Sequence, residues 1–270
     1  AAPTRSEPAG RSVSELLAVL EQRGAAVPAR VSGYLQFVGY AQLVTIAQRL
    51  DAVVRLNHRP GHFLVEGRPL ATVWPGGAAP QVAAALAEAH VTGPHRTLMQ
   101  DPVFAIDQLA EIAIRALSPA VNDTFTALTC IDWLSAGLSR VSSRPLVEGV
   151  YRDSLGAVRL IESDPSYPRM VNRAFDKVRQ AAGGMPAVLI RLLDALHSIA
   201  GHVVSDDQRR TLVRQADMVL RLAEATVHER NDLEDIRHRH ERMVGAGRDD
   251  AAAADGSGAT PSPGWERPAP

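Results

Sequence analysis

The spacing of apolar residues predicts that most of the chain after residue 80 is α-helical. Leu, Val, Ile and Ala recur there every three or four residues, which gives a helix one apolar face. This spacing predicts helices over residues 81–90, 103–117, 124–141, 167–182, 186–200 and 206–243. In the segment 124–141, the stripe expected to be buried consists of Phe125, Leu128, Ile131, Leu134 and Leu138.

Before residue 80 the pattern changes and predicts short strands joined by tight turns. Runs of alternating or β-branched residues are bounded there by Gly and Pro, which is typical of strands. The predicted elements are a helix from Ser12 or Ser14 to Arg23, a strand over 31–38, a helix over 41–50, a strand over 52–56, and two short strands after the turns Pro60-Gly61 and Glu66-Gly67.

The turns around Gly67 resemble those of the half-barrel found in biotinyl and lipoyl domains. The chain runs through a Pro-Gly turn, a short strand, a Gly turn and then Pro69-Leu70-Ala71-x-Val73. Because this stretch has no lysine, neither biotin nor a lipoyl group can be attached to it, and we expect no cofactor. The resemblance therefore concerns architecture alone and predicts a module like a barrel-sandwich.

Together these patterns predict an α+β fold, in which a small β-rich module is followed by a mainly α-helical body. The expected organisation is a flexible lead-in (1–11), a short helix with the β-rich module (12–80), the helical body (81–245) and a disordered tail (246–270). The tail is rich in Ser, Gly and Pro, a composition that cannot build a core. Within the body, residues 142–168 are looser, and 157–161 could form one strand of a hairpin.

Composition and charge argue against nucleic-acid binding. The chain has 29 Lys and Arg against 30 Asp and Glu, which gives a formal net charge of -1. No stretch combines a basic stripe with spaced aromatic residues, as a nucleic-acid surface would. Nor does any stretch approach the roughly 18 consecutive apolar residues of a membrane-spanning helix.

The cysteine and the histidines do not predict a reactive or metal-binding centre. Cys130 is the only cysteine and lies in an apolar run, so we expect a buried thiol rather than a nucleophile. On the predicted helices no two histidines have the i, i+4 spacing of a zinc site, since His197 and His202 are five residues apart. We therefore expect no metal.

The densest group of polar residues lies between Arg96 and Asp132. Two hypotheses account for it. Helix capping explains most of the residues, because Asp123 or Asn122 can accept a hydrogen bond from an orphan backbone N–H. Alternatively, the loop presents a polar pocket at a helix N-terminus, where a ligand would bind. The residues of this candidate ligand site are Arg96, Asp101, Arg115, Ser118, Asn122, Asp123 and Thr126.

Several unusual strings occur in one order over roughly residues 12–225 and resemble an uncharacterised bacterial membrane-protein family, domain of unknown function 2254. The strings are Ser32-Gly33-Tyr34-Leu35-Gln36, Arg59-Pro60-Gly61-His62-Phe63, Gly67-x-Pro69-Leu70-Ala71-x-Val73-Trp74-Pro75, Arg96-Thr97-x-x-Gln100-Asp101-Pro102-x-Phe104, and Ala116-Leu117-Ser118-Pro119-Ala120-x-Asn122-Asp123-x-x-Thr126-Ala127.

This resemblance implies that the chain is the soluble C-terminal portion of a protein of the bacterial inner membrane. The expected partner is that protein's own N-terminal transmembrane region, and the reading frame before Ala1 is expected to encode several apolar stretches of about 20 residues. The domain is expected on the cytoplasmic side, because Arg5 and Arg11 would suit a positive-inside junction. A homo-oligomer is also possible.

The resemblance implies no activity. We therefore favour a non-enzymatic regulatory or interaction domain of a membrane protein, in which the β-rich module binds or transmits and the helical body associates with itself or with the membrane part. The alternative is a ligand-binding or hydrolase-like site built on the Arg96–Asp132 region. The two hypotheses differ in whether the polar side chains of this region converge or serve as caps and surface pairs.

Overall fold

A computed structural model of the chain describes residues 10–144, 149–162 and 166–245. The described residues form two compact units. The first comprises residues up to Gln108 together with 149–162 and 166–173. The second comprises 109–144 and 174–245. The predicted tail (246–270) and nearly all of the predicted lead-in (1–11) lie outside the described residues.

The first unit combines short helices with the strands of two sheets. Its elements are α1 (Val13–Arg23), β1 (Ala25–Pro28), β2 (Gly33–Val38), α2 (Tyr40–Arg49), β3 (Val53–Leu56), β4 (Phe63–Leu64), β5 (Pro69–Trp74), α3 (Ala79–Ala89), β6 (His90–Gly93), β7 (Val150–Arg152) and β8 (Val158–Glu162). The boundary between the units falls within α4 (Pro102–Ala116) and α6 (Tyr167–Ala181).

The larger sheet has the strand order β1-β5-β3-β8-β7, and the smaller one has the order β4-β2-β6. All neighbouring strands are antiparallel except β3 and β8, which run parallel with Val54 opposite Leu160. Successive residues of a strand point to opposite faces of the sheet. Val54 accordingly packs in the main core with both sheets, α2 and α3, whereas Val53 packs with Leu16 of α1. Helices therefore cover both faces of the larger sheet.

The second unit is helical and is organised around α7 (Pro186–Ala200). This helix contacts α5 (Thr124–Ser142), α8 (Asp206–Thr226) and α9 (Arg230–Gly245). Its fully buried residues share one broad face, which spans about 140° of the helix circumference. They are Val188, Leu189, Leu192, Leu193, Leu196 and Ile199.

The structure confirms the predicted α+β fold and most of the predicted elements. Cys130 is buried, as expected, and burial raises the pKa of its thiol. Strands β1 and β6 were not predicted, because each has only four residues and little alternation. The predicted strand 157–161 does form a hairpin with β7, but it also pairs with β3, 100 residues earlier in the chain. Such long-range pairing leaves no local pattern.

One predicted core residue is exposed. Phe125 of α5 was expected to be buried with Leu128 and Ile131, but 84% of it is accessible to solvent. Each step of three residues rotates a side chain by about 60° around a helix with 3.6 residues per turn. Two such steps carry Ile131 about 120° away from Phe125, so only Ile131 of these two lies on the buried face.

Arg159 forms a buried ion pair with Asp153 within the β7–β8 hairpin and joins the hairpin to the rest of the first unit through a second pair with Asp51. The Arg159 guanidinium is 4% exposed and donates to the Asp153 carboxylate at 2.7 Å and to that of Asp51 at 2.8 Å. Asp153 is fully buried and also accepts hydrogen bonds from two backbone N–H groups of its own turn. Burial opposes ionisation of Asp153, but these hydrogen bonds outweigh it and hold its pKa below the usual range.

We therefore expect Asp153→Asn to lower the free energy of unfolding by about 3 kcal/mol at neutral pH, because it leaves a buried guanidinium without its closest counter-charge. The native pKa is depressed, so this stabilisation is present above the ordinary carboxyl pKa and is lost as the pH falls. Urea unfolding at pH 7 measures the loss of stability in Asp153→Asn. The same measurement at pH 3.5 should give a smaller difference between this variant and the unaltered chain. The exposed Asp207→Asn is the control, and an equal loss in both variants would contradict the assignment.

Candidate functional site

The segment from Arg96 to Phe104 leads into the first turn of α4, and a buried carboxylate holds it together. Asp101 is 2% exposed, and one of its oxygens accepts a hydrogen bond from the backbone N–H of Phe104 at 3.1 Å. The other oxygen accepts from the Arg96 guanidinium, with N···O distances of 2.6 and 2.8 Å. Asp101 is therefore the N-cap of α4 and a partner of Arg96 at the same time.

Arg96 extends this contact into a network of alternating charges. Its guanidinium also donates to Asp107 at 2.7 Å and lies 4.8 Å from the centre of the Phe104 ring. Asp107 in turn accepts from the Arg173 guanidinium at 2.7 Å. Burial would raise the pKa of Asp107, but the two guanidinium groups outweigh it and lower that pKa. All four charged groups lie in the first unit.

Gln100 connects the same segment to the end of β2. Its side-chain amide donates to the carbonyl of Val38 at 3.1 Å and accepts from the N–H of Val38 at 2.8 Å, as a neighbouring strand would. Gly61, which has a φ of 93°, lies directly against the Asp101 carboxylate. A side chain at this position would overlap with Asp101, so the turn after Pro60 requires glycine.

Short-range hydrogen bonds hold the loop between α4 and α5. Asp123 caps α5 by accepting from the backbone N–H of Thr126 at 3.1 Å and from the Thr126 hydroxyl. The Ser118 hydroxyl donates to the carbonyl of Arg115 at 2.7 Å, and Asn122 adopts a left-handed conformation with a φ of 50°. The predicted role of Asp123 as a cap is confirmed.

The seven candidate ligand residues thus divide between the two units. Arg96 and Asp101 pair with each other in the first unit. The remaining five lie in the second unit. There Arg115 pairs with Glu111, Ser118 donates to the last turn of α4, and Asp123 accepts from Thr126. These contacts favour caps and surface pairs, and a ligand bound by these residues stays a prediction.

A cavity of about 410 Å³ lies in the first unit beside the segment 96–104. Asp101 and Gln100 contribute to its wall together with Tyr40, Tyr151 and Glu162. The rings of the two tyrosines are stacked, with centroids 4.8 Å apart and planes 10° from parallel. The Tyr40 hydroxyl donates to the Glu162 carboxylate at 2.7 Å.

The same surroundings keep Tyr40 protonated. Burial, followed by the hydrogen bond to Glu162, raises its pKa far above the ordinary value, so it acts as a donor at physiological pH. Sequence analysis missed Tyr40, Tyr151 and Glu162 as site residues. Tyr40 belongs to α2 and lies more than 100 residues before Tyr151 of β7 and Glu162 of β8, so no local motif connects it to them.

Residues 2–198 match the family described as "Predicted membrane protein (DUF2254)". The chain belongs to this family. The resemblance drawn from the sequence is thereby confirmed, and the family description assigns no activity.

Two similar relatives are uncharacterised proteins of Mycobacterium tuberculosis (strain H37Rv) and Mycobacterium bovis. Each is 32% identical over 207 residues, which cover 74% of this chain and 40% of the relative. The chain thus matches less than half the length of these family members. No solved structure matches the chain. Among the helices that the structure describes, none is both long enough and apolar enough to cross a membrane.

If Asp101 holds the start of α4 in place, Asp101→Ala should lower the free energy of unfolding by about 3 kcal/mol. The substitution removes a helix cap and leaves the partly buried Arg96 without one of its counter-charges. Asp123→Ala removes a cap on an exposed loop and should cost clearly less. Urea unfolding of both variants makes the comparison, and equal losses would show that the Arg96–Asp101 pair adds nothing to capping.

Proposed function

We propose that the chain is the regulatory domain of a longer bacterial membrane protein and that its first unit binds a small ligand in the cavity beside Tyr40. The observation that carries this proposal is the cavity itself. Its volume of about 410 Å³ lies within the range of small-molecule sites, roughly 300–1,000 Å³. Aromatic rings line it together with a few charged and polar groups, which is the usual composition of such a site.

The charges of the cavity indicate the class of ligand. Glu162 brings a carboxylate next to the two tyrosine rings, and a carboxylate with aromatic faces attracts an ammonium group. Arg59 also lines the cavity, and guanidinium groups can pair with carboxylates in a bidentate manner. A ligand that carries both an ammonium and a carboxylate group, such as a free amino acid, matches this combination.

Binding without chemistry agrees best with the neighbouring contacts. Asp101 caps α4 and pairs with Arg96, while Asp123 caps α5, so both carboxylates among the seven candidate residues already have structural roles. A hydrolase-like site would need at least one of them to act on a substrate. We therefore propose a sensing domain whose output acts on the membrane part of the protein.

A thermal-shift series with each of the common amino acids tests the ligand proposal. A ligand at about 100 times its Kd stabilises the native state by about 2.7 kcal/mol, which should raise the Tm of this chain by roughly 5–10 °C. Glu162→Gln should abolish the shift, because it removes the negative charge and keeps an oxygen that accepts from Tyr40.

Glu21→Gln is the matched control, since Glu21 is exposed on α1 of the same unit. It should respond like the unaltered chain. If no amino acid raises the Tm, or if Glu162→Gln responds as strongly as the control, the proposed ligand class is wrong.

We further propose that this domain lies on the cytoplasmic side of the inner membrane. The family description supports a membrane location, and the basic residues Arg5 and Arg11 suit a positive-inside junction. A reporter fused after Gly245 in the full-length protein should have the activity of a cytoplasmic fusion, with a fusion to a secreted protein as the control. Activity typical of the periplasm would reverse the assignment.

A further inference from the structure

The exposed face of α5 is unusually apolar for a surface helix. Phe125 is 84% exposed and Trp133 is 64% exposed, while Ile131 and Leu134 on the other side of the helix are buried. Large aromatic residues that share an exposed face mark an interaction surface far more often than isolated apolar residues do. Phe125 and Trp133 are eight residues apart and therefore lie on one face.

Small residues continue this face toward the end of the helix. Ala136 and Gly137 are both exposed, and a Cβ atom added to Gly137 would meet nothing within 4 Å. The face thus has protruding rings in its first half and a shallow, open surface in its second half. We refer to Phe125, Thr129, Trp133, Ala136 and Gly137 as the α5 face.

We propose that the α5 face pairs antiparallel with the same face of a second copy of this chain. Such a pair has a twofold axis, so each residue meets a partner whose number is fixed by the register. In the proposed register, the twofold axis passes level with residue 131, so that residue 131 of one copy lies level with residue 131 of the other. Phe125 then lies opposite Gly137 of the other copy, and Thr129 lies opposite Trp133. Each protruding ring then meets a smaller residue, as close helix packing requires.

Charge complementarity favours the same register. The carboxylate of Asp123 stands at the start of α5 and the exposed guanidinium of Arg140 near its end. Antiparallel pairing about residue 131 brings Asp123 of one copy close to Arg140 of the other, at both ends of the interface. Parallel pairing would instead place like charges together and Phe125 against Phe125, which costs free energy.

The charges also explain why the occupant is a second copy rather than a lipid surface. The α5 face is flanked by Asp132, which pairs with Arg191 at 3.0 Å, and it ends at charges of both signs. A face that inserts into a membrane surface usually carries basic residues alone at its edges. A balanced, self-complementary pattern fits an isologous protein interface.

Sedimentation velocity of the 270-residue chain over about a hundredfold range of concentration tests the pairing, because dimers form by mass action. The unaltered chain should shift from monomer to dimer as its concentration rises. Phe125→Asp and Gly137→Glu should each remain monomeric, since both introduce a charge into the face. Leu155→Asp is the matched control, because Leu155 is equally exposed at 83% but lies in the first unit, and it should still dimerise.

Disulfide cross-linking in a Cys130→Ala background tests the register. Facing helices 8–10 Å apart bring opposed Cα atoms within the range of a disulfide. Thr126 lies opposite Ala136 in the proposed register, so the double variant Thr126→Cys with Ala136→Cys should cross-link into dimers on oxidation. Neither single variant should cross-link. In each of them the cysteine of one copy would lie about 15 Å, measured along the helix axis, from the same cysteine of the other copy.

A chain that stays monomeric at every concentration would overturn the proposal. Dimers that persist in both Phe125→Asp and Gly137→Glu would also overturn it. Cross-linking of either single cysteine variant would do the same, because it would indicate parallel or unrelated packing. Circular dichroism of each variant establishes that it is folded, so that a loss of dimers is assigned to the face itself.

Discussion

The parallel pairing of β3 with β8 is the contact on which the first unit depends. It brings a hairpin from residues 150–162 onto a sheet whose other strands all come from the first 75 residues. Arg159 holds this hairpin through a buried pair with Asp153 and a second pair with Asp51, beside β3. Because a buried charge is costly without its partners, these pairs allow few alternative registers. The stacking of Tyr151 on Tyr40 follows from this placement.

A second buried carboxylate performs a similar task at the start of α4. Asp101 caps the helix, pairs with Arg96 and lies against Gly61, while the neighbouring Gln100 pairs with the backbone of β2. The polar residues of the segment 96–104 thus have a structural role, because they join the start of α4 to the smaller sheet. Gln100 and Asp101 also form part of the wall of the cavity beside Tyr40.

The two proposals concern different units and different physical effects. Ligand binding in the first unit relies on charges and rings that are partly removed from solvent, where electrostatic contacts are strong. Self-association through the α5 face relies on exposed aromatic surface and on the match between large and small residues. The sequence analysis expected the helical body to associate with itself, which agrees with the proposed pairing of the α5 face. It also expected a regulatory role for the β-rich module, which agrees with the proposed ligand site in the first unit.

Local patterns in the sequence determined the helices, several strands, the family and the capping role of Asp123, because helical spacing, turn residues and caps act over a few neighbouring positions. They could not place β8 beside β3 or bring Tyr40, Tyr151 and Glu162 together, since pairing across 100 residues depends on the summed packing of the whole unit. They also assigned Phe125 to the core, because a stripe with a spacing of three residues drifts around the helix. Only the tertiary structure decides which side of such a stripe is buried, since burial depends on where the neighbouring helix packs.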